Sequence, residues 1–160
     1  MSAPVLKPVN SELVAVAWLK TIPGVPAGKV ATTLPPVATW QETGFVTLDG
    51  IVGGTPHPDA PLYRPVIQLG FWAANAGSSI TPPWGSAFIL SEYVKRATEV
   101  DSPYRSAVLS IPNGFEQALV RDVTVMIENR RHPVPSPESY AHVTMDVMLE
   151  WTIYRPEEYT

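Results

Sequence analysis

The first stretch whose spacing could do chemistry is "GVPAGKV", Gly24 to Val30. A phosphate-binding loop needs GxxxxGK and then Ser or Thr, set between a strand and a helix, so that backbone amides and a helix terminus converge on the phosphates. Here Gly24 and Gly28 stand one residue too close, Val30 replaces the hydroxyl, and a helical pattern precedes the segment. It reads as a loop. Of the three histidines, His57, His132 and His142, none stands in an HExxH pattern. His142 and Asp146 are four apart, but on a strand, which separates them by about 13 Å. His57 and Asp59 flank Pro58 and could touch a metal, although a solvated turn is the simpler explanation. The serines of "NAGSSI" and "WGSAF" lack the GxSxG elbow. Asp122, Asp146 and Glu150 could meet across strands as an acid–base pair, yet solvated sheet charges explain them more simply. The sequence therefore predicts no catalytic residue, no metal and no cofactor.

The elements that would position these residues are easier to read. "AHVTMDVMLEWTI" alternates strictly: Ala141, Val143, Met145, Val147, Leu149, Trp151 and Ile153 against His142, Thr144, Asp146, Met148, Glu150 and Thr152. That is one strand with an apolar face toward a core and a polar face toward water. At roughly 3.3 Å per residue it runs about 43 Å, long for a domain whose radius of gyration is near ~15 Å. It is predicted to span or protrude from the molecule. "NSELVAVAWLKTI" predicts a helix capped at Asn10 or Ser11, carrying Val14, Trp18 and Ile22 on one face and ended by Pro23-Gly24. Ala87, Leu90, Val94 and Ala97 predict a second helix, with Thr81 as its cap and prolines in its first turn.

"KVATTLP", "GFVTLDGIVGG", "VIQLGFWA", "SAVLSI" and "ALVRDVTVMIE" read as extended segments. "VIQLGFWA" has apolar residues on both faces and belongs at the centre of the sheet, with Pro65 at its start. In "ALVRDVTVMIE", Val123, Val125 and Ile127 alternate against polar neighbours. Trp18, Trp72 and Trp151 are expected in the core, and Trp40 and Trp84 in or beside loops. The fold class is α+β: a mixed or antiparallel sheet with both helices on one face and a long C-terminal strand. A single domain covers 1–160, with an extended arm at 1–9, proline-rich loops at 53–65 and 129–139, and a tail at 155–160.

Composition bounds the function. Net charge is −4 and no basic cluster stands out, which argues against a dedicated nucleic-acid binder. The chain has no cysteine, which excludes disulfides and thiolate metal sites. No apolar run reaches the ~20 residues of a membrane span, and "MSAPVLKPVN" lacks a signal-peptide layout. Synthesis in a reducing cytoplasm is the compatible expectation. Charged residues make up 16% and prolines number 18, against a typical ~25% and ~5%. A sparsely charged, proline-rich surface suits a subunit enclosed by neighbours better than a free monomer.

Three segments carry a family resemblance: "SELVAVAWLKTIPGVP…KVATTLP", "RPVIQLGFWAAN" leading into a helix, and "RRHPVPSPESYAHVTMDVMLEWTI". Together they resemble the tail terminator proteins of long-tailed bacteriophages, of similar length, with an "AWL" helix followed by a PGV-like turn. The sequence departs from that pattern at "GSSITPPWGSAF", where an alanine-rich helix start is expected. The resemblance implies a non-enzymatic virion protein at the head–tail interface, made in the host cytoplasm. It would form a hexameric ring on the tail tube protein, stop tube growth and receive the head–tail connector. DNA would pass through the ring without specific binding. On that reading Thr144, Asp146 and Glu150 would face the channel, and Arg130, Arg131 and Trp84 would sit at a subunit interface. Another head–tail joining or tail completion protein is the nearest alternative. A small ligand-binding or enzymatic α+β domain is the alternative from a different class.

Overall fold

The structure, a computed structural model, describes residues 10–56, 62–75, 83–111, 117–132 and 140–154. Helix α1 (Ser11–Leu19) begins where Asn10 accepts a hydrogen bond from the Leu13 amide at 2.9 Å, the cap that the sequence predicts. It buries Val14, Ala15, Trp18 and Leu19. Helix α2 (Trp84–Ala97) buries Ala87, Leu90, Ser91, Val94 and Ala97. Pro83 precedes it and supplies no side-chain cap; Thr81 lies outside the described residues.

Six strands form one sheet: β1 (Val30–Ala31), β2 (Phe45–Pro56), β3 (Leu62–Ala74), β4 (Ala107–Ser110), β5 (Gln117–Arg131) and β6 (Tyr140–Tyr154). Their order is β1-β2-β3-β6-β5-β4. β1 runs parallel to β2 and all other pairs are antiparallel, so the sheet is mixed and the fold is α+β. β3 is an inner strand, as its two-sided apolar pattern requires. Both helices lie on one side. Trp151 donates to the Ser11 hydroxyl at 3.0 Å, and α2 packs on β3, β5 and β6. Because α1 touches β1 and β2 near one edge and β4 at the other, the sheet curls around its helices.

The long strand is unbroken but does not project. β6 pairs along its length with β3 on one side and β5 on the other. Its odd positions meet the helices, and Ala141, Val143, Met145, Leu149 and Trp151 are all buried. Its even positions do not meet water as expected: Thr144 is 0% exposed, and Asp146 and His142 are 6%. Side chains from the flanking strands cover them.

Other boundaries also move. β2 extends to Pro56 and β3 starts at Leu62, so only 57–61 of the expected 53–65 loop lies between them. β5 likewise runs on to Arg131. Pro65 therefore sits inside an inner strand rather than at its start. It has no N–H to give, and the β3–β6 ladder skips its level, passing from Tyr63↔Trp151 to Val66↔Met148. On its other side Gly54 pairs with it at φ +90°, with Arg64 and Pro65 backbone against its Cα. In β5 the expected alternation fails at a register shift between Val125 and Ile127. The bulge turns Ile127 out to solvent.

Gly54 and Gly28 both hold positive φ, but a Cβ at Gly28 would meet nothing, whereas one at Gly54 would fall on the Arg64 carbonyl oxygen. Gly28→Ala should cost about 1–2 kcal/mol, the strain of a left-handed alanine. Gly54→Ala should cost clearly more, since backbone cannot step aside; urea unfolding of the two variants measures the difference.

Candidate functional site

The densest polar constellation lies on the helix-free face of the sheet, where register brings distant residues together. Trp72 is opposite Phe45 on one side and His142 on the other, and Gly70 is likewise opposite Thr47 and Thr144. The Trp72 and His142 rings stack at 3.7 Å and 15°. His132 stacks on the far face of His142 at 4.3 Å and 15°. Its amide donates to the His142 carbonyl at 2.8 Å. Three rings from β3, β6 and the end of β5 thus lie in a row across the sheet. Trp72 is half-buried here and is no part of the helix-side core that the sequence suggested. Trp40 sits in a turn, as expected, and there it is 1% exposed. It donates to the Pro35 carbonyl at 2.9 Å and packs on Tyr140.

Around the row runs a chain of polar contacts. Trp72 Nε1 donates to Thr47 Oγ1 at 2.9 Å, and that hydroxyl donates to Asp49 Oδ1 at 2.6 Å. Asp49 Oδ2 lies 3.5 Å from His142 Nε2. The cluster fits because Gly70 has no side chain. A Cβ there would overlap Thr47 Oγ1 and come within 2.7 Å of His142 Nε2. Histidine beside aspartate suggests acid–base work, but that needs a ring nitrogen presented to a substrate. His142 is covered on both ring faces, and the Thr47 hydroxyl is directed at Asp49 rather than at the imidazole. His142 Nε2 and Thr144 Oγ1 are buried without a hydrogen bond. The arrangement organises this face of the sheet.

The carboxylates that could have paired are each claimed by an arginine. Asp122 and Glu150 are directly opposite in the β5–β6 register. Arg105 Nε reaches Asp122 at 2.5 Å, Arg64 Nε reaches Glu150 at 3.3 Å, and Arg130 Nη2 reaches Asp146 at 3.2 Å. Of the three expected channel residues, only Glu150 keeps access to solvent in the single chain. The three interface candidates have partners within the chain: Arg130 on Asp146, and Arg131 with its guanidinium 4.7 Å above the Trp84 ring.

Among the described residues no three potential metal ligands converge, and no helix is long and apolar enough to cross a membrane. A cavity of about 360 Å³ opens between the C-terminal ends of the helices, beside Ile22, Tyr93, Ala97 and Tyr104. It holds neither the histidines nor the threonines of the polar row.

The sequence reading missed the Asp49–His142 and His132–His142 contacts. Both depend on cross-strand register rather than on spacing along the chain. One signal was present: His132 and His142 bracket "PVPSPESYA", and a hairpin closing that segment sets them opposite each other.

The hydrogen bond and charge of Arg105 hold the Asp122 carboxyl below its usual pKa of 3.8, against a smaller opposing effect of burial. The folded carboxylate thus binds its proton less tightly than the unfolded one. The pair stabilises fully above the unfolded value and fades as pH falls through the lowered folded one. Asp122→Asn should lower stability at neutral pH by under about 1 kcal/mol, as for an exposed pair. The gap from the parent should close in acid, read as urea midpoints across pH.

No protein-family profile matches the chain, and no curated protein does. Among solved structures, the fold is shared with a chain of the "Virion of native gene transfer agent (GTA) particle". The alignment covers 89% of this chain and 86% of that one, at a TM-score of 0.50 and 12% identity. At that identity the likeness is one of fold.

Proposed function

We propose that this chain is a structural, non-enzymatic subunit of a phage-like virion, and within it a tail terminator. In that role it caps the finished tail tube as a hexameric ring, stops polymerisation and presents the surface to which the head connector docks. The observation that carries this reading is the shared fold with a virion chain over nearly the whole length of both. The family resemblance of the "AWL" helix, the "RPVIQLGFWAAN" strand and the long final strand narrows it to the terminator.

Two features of the site agree. Among the described residues the His142 ring beside Asp49 is buried and covered on both faces, while His57 and Asp59 lie outside the described residues. The helix-free face also suits a wall past which DNA moves. Its Arg64, Arg105 and Arg130 are paired with Glu150, Asp122 and Asp146. Immobilising contacts to phosphate come from Lys and Arg that are free to neutralise it.

Particles assembled without this chain test the role. Electron microscopy should show tails of uncontrolled, excessive length. Tails of normal length that lack heads would instead assign it to head–tail joining, and unaltered particles would remove it from the virion reading altogether.

A further inference from the structure

The two sides of the sheet end differently from what their edge strands suggest. β1 covers β2 only at Val46 and Thr47, so beyond Leu48 no described strand pairs with the outer side of β2. At the opposite edge β4 covers β5 only from Gln117 to Val120, and from Arg121 to Arg131 no described strand pairs with its outer side. Among the described residues these stretches have no strand partner, and such an edge is a template for another strand. Each also shows adjacent apolar side chains to water, Ile51 and Val52 on β2 and Met126 and Ile127 on β5, all about half exposed.

Their positions match. The register Ile51↔Ile67↔Val147↔Val125 places both apolar pairs on one cross-strand row, at the same height on opposite edges. A hollow of about 210 Å³ adjoins the β2 edge, lined by Ser11 at the start of α1 and by Ile51, Gly53, Gly54, Tyr63, Arg64 and Pro65. The β5 edge offers the counterpart, protruding Met126 and Ile127. The charges beside the two surfaces are already paired within the chain, Glu128 with Lys95 at 3.8 Å and Arg64 with Glu150 at 3.3 Å, so the match is one of apolar shape.

We infer that the β2 edge of one copy receives the β5 edge of a second copy, with Met126 and Ile127 entering the hollow. β2 and β5 run in opposite directions across the intervening strands, so a copy added in the same sense continues the antiparallel order. Knob and hollow are different surfaces of one molecule, so the contact is head-to-tail. With the two at equal height, successive copies take no step along the strand direction, as a closed ring requires; the turn from copy to copy is not set by this register. A short edge contact falls below the ~1,600 Å² of a stable standard interface. Pairs are therefore weak, and closure, which gives every copy two contacts, holds the assembly. The closure rests on the ring reading above; the edge contact does not.

The absence of native cysteine makes the test clean. Val52→Cys and Met126→Cys are combined in one full-length chain, oxidised, and run beside each single variant. The two sites lie three strand spacings apart along the sheet, about 14 Å, beyond the ~7 Å a disulfide bridges. The double variant should give a ladder of covalent oligomers ending at a closed species, and the singles nothing above dimer. Monomer and dimer alone from the double variant would overturn the contact.

Ile51→Arg is the companion. Ile51 lines the hollow and is 49% exposed, so the fold tolerates a charge there, and the guanidinium should abolish the oligomers seen by native mass spectrometry. Rings that persist in Ile51→Arg overturn the edge contact and leave the ring reading standing. An open-ended ladder with no closed species upholds the contact and overturns the ring.

Discussion

Burial of β6 on both faces is the constraint on which the rest of the structure depends. A strand between two others, with helices beneath it, reads naturally as apolar below and polar above. Here the upper residues Thr144 and Asp146 are as inaccessible as the core. Enclosing polar groups without partners is costly, and the face meets that demand locally. Arg130 holds Asp146, Trp72 donates to Thr47, and stacked rings occupy the space beside them. Gly70 is the condition for all of it, because any side chain there would displace the Thr47–Asp49–His142 contacts. Two atoms, His142 Nε2 and Thr144 Oγ1, remain without a hydrogen bond, and they mark where this packing is least complete.

Much of the architecture was legible because it follows from local periodicity. The Asn10 cap, the apolar stripes of α1 and α2, the inner position of β3 and the unbroken length of β6 all follow from spacing that any reader of the chain can count. What was not legible arises between strands. The apolar surroundings of Trp72 in "VIQLGFWA" point to the core, but strand parity sets it on the other face, beside His142. Ile127 was assigned to the apolar face of β5, but a bulge after Val125 reversed it. Pro65 was placed at a strand start by a sound rule. The rule was circumvented by a ladder that skips its level and a glycine that accommodates it.

The site shows the same division. Asp122, Asp146 and Glu150 were recognised as sheet carboxylates that could meet, and Asp122 and Glu150 do stand opposite each other. Their arginine partners come from a loop and two strands, 16 and 17 residues away for Asp146 and Asp122 and across the sheet for Glu150, and no motif announces them. Those partners make the cluster one of paired charges.

The strand order has a kinetic consequence. β2 with β3, and β5 with β6, are hairpins between neighbours in the chain, whereas the β3–β6 seam joins opposite halves of it. Local hairpins form in microseconds, but non-local pairing must first overcome the entropy of closing the long intervening segment. The halves of the sheet are thus complete before the molecule is, and each then carries an inner edge that only the other half can cover. A newly made chain is at its most adhesive during that interval, before its own seam has zipped.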